Sequence, residues 1–213
     1  MQKKAVLIAL FVIPIVVYLF FASGVYNFAR LPIVTPSVSW EEPFLAIDND
    51  SIMIHDKISV VGFLGNAEEA QRTGVFNLNE KIGKRFGEFT DFQFIFFYNA
   101  GQDAAIRTLT NELGKYNDLS KWHFVPLSDS ALHNTHKKLK TNSLLPENGY
   151  TSLVYIIDKE GKLRGRTDDE EYGTLYGYNT TSVAELTNKM VDDVKVILAE
   201  YRLALKKYNK REI

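Results

Sequence analysis

The chain has 213 residues, 46% hydrophobic and 24% charged, with 14 phenylalanines, which is enough apolar mass for one packed domain plus an accessory segment. Lys and Arg number 25 against 26 Asp and Glu, giving neither a basic face for nucleic acid nor a strongly acidic surface. Cysteine is absent, which excludes disulfides, thiol catalysis, thiolate metal sites and a lipid-modified N-terminal cysteine.

Lys3 and Lys4 precede an uncharged apolar stretch at 5–22. At about 1.5 Å per residue it makes ~27 Å of helix, close to the hydrocarbon thickness of a bilayer, so 1–24 reads as a transmembrane anchor. The two lysines before the span, with Arg30 the one cation soon after it, orient a single pass with the N-terminus in the cytoplasm. The expected address is the bacterial inner membrane, with the remaining chain extracytoplasmic and facing the periplasm. A cleaved signal peptide competes, because Ala22, Ser23 and Gly24 are small, but the run exceeds the roughly 7–15-residue core of such peptides. Residues 25–43 contain Pro32, Pro36 and Pro43 and no helical period, which predicts an extended stalk acting as a spacer.

The globular domain is expected over 44–206, followed by a basic tail at 207–213. Two apolar patches around Asp48, Asn49 and Asp50 read as a small hairpin. Residues 59–64 are apolar on both faces, as a central strand is. Val75, Leu78, Ile82 and Phe86 then recur at three or four residues, predicting an amphipathic helix over 68–85. A second apolar strand at 92–98 completes a parallel βαβ unit with right-handed crossover. Further on, Ile106, Leu109, Leu113 and Tyr116 mark a helix over 103–116. A strand at 122–127 leads to a helix that Ser128 can cap, running to Leu139. In 152–166 an apolar strand meets an Asp158-Lys159-Glu160-Gly161 turn and a returning strand with Leu163. Residues 168–179 read as a polar, tyrosine-bearing surface loop. Ser182 and Glu185 form a capping box for a long last helix bearing Val183, Leu186, Met190, Val194, Ile197, Tyr201 and Leu205. The order βα-βα, then ββ, then α is thioredoxin-like: an α/β fold with a central mixed sheet flanked by helices.

With the anchor and stalk, the 58–64 strand, the QFIFFYNAGQD segment, the KWHFV strand and YIIDKEGKLRG, the chain resembles the Sco/SenC family from about residue 5 to 205. That resemblance implies a membrane-anchored, thioredoxin-like protein connected with copper delivery to, or cysteine reduction in, cytochrome c oxidase. In the family the turn after the first strand holds two cysteines three residues apart, and a histidine stands about eight residues before the Asp of the hairpin turn. Copper(I) is soft, and two thiolates with one imidazole suit it. Here the turn offers Gly65, Asn66, Glu68, Glu69 and Thr73, and counting back eight from Asp158 reaches Tyr150. The expectation is a vestigial site: no catalytic residues, no cofactor and no enzyme activity, but a role as an assembly or interaction factor with a protein partner in a membrane or respiratory complex. The alternatives are a histidine and carboxylate metal protein or enzyme on the same fold, and a ligand-free structural subunit of a membrane complex.

Other candidates have plainer readings. His133 and His136 stand at i and i+3, a spacing that can serve one metal, with His55 and His123 as remote partners; an exposed helix face explains them as well. Glu68 and Glu69 suit a helix N-terminus by charge alone. Asp168, Asp169, Glu170 and Glu171 form an acidic run of the kind found in solvated loops. Tyr172, Tyr176 and Tyr178 among glycines suggest a partner-binding loop, since tyrosine combines apolar area with a polar tip. Asn179-Thr180-Thr181 matches a glycosylation acceptor, a very common pattern. Lys206, Lys207, Lys210 and Arg211 fit a solvated helix end or a lipid-headgroup contact.

Overall fold

A computed structural model describes residues 2–22, 30–40, 42–66 and 72–209. The first element is the helix α1 (Gln2–Ala22), with Pro14 inside it. Among the described residues no helix is long and apolar enough to cross a membrane. The backbone of α1 reaches 21 residues. Its described side chains are exposed, Phe20 and Tyr18 among them.

The chain then enters the domain earlier than its prolines suggest. Ile33–Thr35 forms the edge strand β1, Leu31 and Val38 are buried, and the Thr35 hydroxyl donates to the Leu139 carbonyl at 2.7 Å. The spacer expected over 25–43 is therefore, from Leu31 onward, part of the packed fold. The hairpin expected next is present as β2 (Phe44–Leu45) and β3 (Ser51–Ile52).

β4 (Ile58–Gly65) is buried along its whole length, because both faces of the sheet are covered; its sequence therefore lacks alternation. It leads to α2 (Arg72–Leu78), a π turn (Asn79–Gly83) and α3 (Lys84–Phe86), one unbroken helical path. The predicted residues Val75, Leu78, Ile82 and Phe86 are all buried on it; residues 67–71 lie outside the described chain. The π turn coincides with an inward amide, Asn79, which accepts from Asn117 Nδ2 at 2.8 Å. After it come β5 (Phe92–Asn99), α4 (Asp103–Leu113), β6 (Trp122–Leu127) and α5 (Asp129–Lys137). Tyr116 lies beyond α4 and is exposed. Ser128 caps α5 as expected, accepting from the Ala131 N–H.

β7 (Tyr150–Ile157) and β8 (Leu163–Arg164) form the predicted hairpin. The segment expected to be a surface loop instead contains β9 (Arg166–Asp169), β10 (Gly173–Leu175) and β11 (Tyr178–Asn179). The last helix runs as α6 (Val183–Glu185), a π turn (Leu186–Met190) and α7 (Val191–Asn209). Its capping box is half formed. Ser182 accepts from the Glu185 N–H, but the Glu185 carboxylate reaches the Asn179 N–H at 2.8 Å.

The main sheet has the order β1-β8-β7-β4-β5-β6, with β11 also paired to β7. β4, β5 and β6 are parallel; β7 runs antiparallel to β4. Alternate residues feed two cores. Val60, Phe94, Phe96 and Ile156 meet Leu78, Ile106, Met190 and Val194 on one face. Val61, Phe63, Phe97 and Tyr155 meet Leu132, Leu139, Val38 and Phe44 on the other. Phe94 stacks on Trp122 at 4.1 Å between centroids, and each such buried ring contributes roughly 1.5–3 kcal/mol.

At the β7–β8 turn a buried ionic cluster ties distant segments. Asp158 Oδ1 accepts the N–H groups of Glu160 and Lys162, and Oδ2 accepts Arg164 Nη1 at 2.9 Å. Arg164 also donates to the Leu31 carbonyl and to Glu200 Oε2 at 2.6 Å. Asp158 is 0% and Arg164 3% exposed.

Candidate functional site

The carboxyl end of β4 is brought against the ends of two neighbours by the register. Gly65 lies opposite Tyr98 of β5, and Leu64 lies opposite Tyr150, the first residue of β7. Tyr150, reached in the sequence by counting back from the hairpin aspartate, thus stands beside the β4 turn. The approach of the backbones is close. Gly65 has φ +53, and a Cβ there would lie 2.1 Å from the Asn148 carbonyl oxygen. Gly149, φ +72, would carry a Cβ 3.2 Å from the Gly65 Cα. These two positions need glycine both for conformation and for space.

Among the described residues, the turn is closed by uncharged side chains. Asn99 Nδ2, at the end of β5, donates to Asn66 Oδ1 at 2.7 Å. Asn99 Oδ1 is buried and has no hydrogen-bond partner. Asn148 Oδ1 accepts the Tyr150 N–H at 3.2 Å. Burial raises the Tyr150 phenol above its ordinary pKa, so it remains a neutral donor and acceptor. Tyr98 donates to Asp103 Oδ1 at 2.8 Å, and desolvation first, then the Asp103 bond, raises its pKa too. Arg72 opens α2, 3.6 Å from Glu112 Oε2. Thr73 is exposed on the same turn, and Glu68 and Glu69 lie outside the described residues. Three amides, two phenols and packed glycines offer hydrogen bonds; these described residues offer no soft ligand and no nucleophile activated by a base.

The sequence matches no protein-family model and no curated protein. Solved structures do match. BsSco, a member of the Sco family of cytochrome c oxidase assembly proteins in which a disulfide switch has been identified, superposes with a TM-score of 0.58 at 15% identity, over 79% of this chain and 98% of that one. A SCO1/SenC family lipoprotein from Bacillus anthracis str. Ames gives 0.53 at 16%, over 82% and 99%. The fold is that of the Sco/SenC proteins. At these identities the likeness carries architecture alone.

Elsewhere on this Sco/SenC fold the remaining candidates separate. The four histidines have four different settings. His133 sits between the carbonyls of Asp129 (2.9 Å) and Pro146 (3.1 Å). His136, expected on an exposed face, is buried and faces the Tyr155 hydroxyl at 3.1 Å, edge-on to Phe63. His55 faces Glu42 at 3.1 Å. His123 is part-buried on β6, and desolvation first, then Lys57, lowers its pKa. Among the described residues no group of three or more His, Asp or Glu is placed to hold a metal.

The tyrosine segment also divides. Tyr178 is fully buried and donates to Asp193 Oδ2 at 2.7 Å, while Arg166 grips the same carboxylate through Nε (2.7 Å) and Nη2 (3.1 Å); it has no surface to offer a partner. Tyr172 and Tyr176 line a shallow groove of about 150 Å³ with Leu153 and Glu185. In the acidic run, Asp169 is buried and bonded to Lys189 at 2.9 Å, so this part is structural rather than solvated. No local signal separates Tyr178 from Tyr172, or His136 from His133, because in each case the deciding partner lies on another element.

Proposed function

We propose that this protein is a membrane-anchored, extracytoplasmic member of the Sco-like thioredoxin group that has lost dithiol and copper chemistry and works as a non-catalytic assembly or interaction factor. One observation carries the reading. The β4 turn still meets the first residue of β7, yet the meeting point is filled by Gly65, Asn66, Asn99, Gly149 and Tyr150, none of which holds copper(I) or exchanges a disulfide. The anchor is supported by the uncharged 5–22 stretch behind Lys3 and Lys4 and by the helical backbone of α1; the address is the bacterial inner membrane, N-terminus inside. A partner surface is supported by Tyr172 and Tyr176, which line a groove beside Leu144, 92% exposed. Because BsSco belongs to a family of oxidase assembly proteins, the first partners to test are respiratory oxidase subunits.

Copper(I) titration of the purified protein tests the core of this reading. The expected result is no stoichiometric site tighter than about micromolar, that is, less than about 8 kcal/mol of binding; a tighter one-to-one site overturns it. Substoichiometric recovery of the protein with a finished membrane complex supports a transient factor, and a fixed ratio points to a structural subunit instead.

A further inference from the structure

A groove of about 480 Å³ lies between the start of β4, the turn after α3 and the outer face of α7. Its floor is apolar: Ile58, Phe86, Phe89 and Leu198. Phe89 is 46% exposed there. Lys159, Lys195 and Arg202 line it with one carboxylate, Asp91; Lys159 is paired with Asp91 at 2.6 Å and Lys195 with Asp192, on the exposed side of α7, at 2.9 Å, so with Asp192 included the rim carries one net positive charge.

Its place in the fold narrows what can reach it. Lys159 follows Asp158 and Tyr201 follows Glu200, the two carboxylates that hold Arg164, which in turn grips the Leu31 carbonyl. The groove and the point where the chain enters the domain are therefore at one end of the molecule. Between Ala22, the end of α1, and Leu31 there are only residues 23–30, and an extended chain of that length spans about 30 Å at most. A membrane that holds α1 holds this end of the domain close to its surface.

We propose that the groove is a lipid-docking site, in which Phe89 and the apolar floor take an acyl chain while Lys195 and Arg202 take the headgroup phosphate of an anionic phospholipid. The inference rests on the anchor reading above. An apolar floor with cations at its rim is the layout that binds the interface of an anionic bilayer. Docking there fixes the domain with its β4 turn directed away from the membrane, since β7 runs from that turn to the hairpin end.

The test uses the full chain reconstituted into vesicles of phosphatidylcholine and phosphatidylglycerol. Flotation in alkaline buffer reports the anchor, and quenching of a tryptophan by acyl-brominated phosphatidylcholine reports the groove. With Phe89→Trp, or with Ala199→Trp as a second reporter should the first not fold, quenching at least twofold above the unsubstituted chain is expected, and Leu144→Trp at the opposite end shows none. Lys195→Glu with Arg202→Glu abolishes the excess, as does omission of phosphatidylglycerol. A chain that does not float overturns the anchor and this proposal together. A chain that floats with both reporters at background, or with quenching indifferent to charge reversal, overturns the groove alone.

Discussion

The two ends of strands β4 and β7 are built from opposite chemistries. At the hairpin end, Asp158 and Arg164 are buried and paired with each other, and Arg164 also reaches the part-buried Glu200 carboxylate and the Leu31 carbonyl. At the turn end, where an α/β sheet usually places its chemistry, the described groups include the amides of Asn66, Asn99 and Asn148, the Tyr150 phenol, and Gly65 and Gly149 in close backbone approach. Among the described residues, charge is thus buried where the chain must be held, and the side chains that close the β4 turn are uncharged. A perturbed, buried ionic group is a common marker of an active site; here the cluster joins β8, α7 and the entering chain, and its burial is explained by architecture.

The hairpin end depends most on Arg164, which joins Asp158, Glu200 and the Leu31 carbonyl. Removing one member of a buried ionic cluster leaves an unpaired charge behind, at a cost of roughly 3–5 kcal/mol. Arg164→Ala should lower stability by that much in urea unfolding. A loss under about 1 kcal/mol would mean that the hairpin end is not held by its charges. At the turn end the corresponding constraint is steric. Gly65→Ala combines a left-handed backbone with a 2.1 Å approach to Asn148 and should cost roughly 2–4 kcal/mol. Gly173 has φ +66 with nothing within 4 Å of an added Cβ, so Gly173→Ala isolates the backbone component at about 1–2 kcal/mol. Equal losses at the two glycines would show that the close packing of the β4 turn contributes nothing.

His136 lies between the two ends, buried against Tyr155. Desolvation first, then His133, lowers its pKa to about 4, against about 6.5 in an unfolded chain. The unfolded state binds the proton first on acidification, so stability is intact above pH 6.5 and is lost as pH falls toward 4. The loss is about 2 kcal/mol at pH 5 and roughly 3 kcal/mol by pH 4. Urea unfolding across that range should show the slope in the wild type and a flatter one in His136→Gln. Parallel slopes would place the pH sensitivity elsewhere.

What the sequence announces and what it hides follow from how far away the deciding partner is. The apolar runs of β4 and β5, the Ser128 cap, the face of Val75, Leu78, Ile82 and Phe86, and the Asp158 turn are written within a few residues of themselves, and each is found in place. The strand β1 is three residues beside Pro32, and it forms because Arg164 and Leu163 lie opposite. Tyr178 is a core residue because Asp193 and Arg166 meet it from other elements. At the candidate site, the absence of cysteine is plain from composition, and the count back from Asp158 reaches Tyr150, which pairs with Leu64 beside the β4 turn. The Asn66–Asn99 bond and the facing of Gly65 and Gly149 join residues more than thirty apart and leave no periodic trace.

The smallest effect is expected at Asn99, and its sign is informative. Replacing it with alanine removes the bond to Asn66, a loss of about 0.5–1.5 kcal/mol. It also removes the buried, unpartnered Oδ1, whose desolvation costs about 1–3 kcal/mol. The two oppose, so Asn99→Ala should cost at most about 0.5 kcal/mol. Asn66→Ala removes the same bond but leaves both polar ends of Asn99 unpaired, so it should cost about 1–3 kcal/mol, more than its partner does. A double-mutant cycle reads the coupling directly. If Asn99→Ala instead costs 2–3 kcal/mol, the amide pair is holding the turn as firmly as charge holds the hairpin. The two ends would then differ in chemistry but not in rigidity.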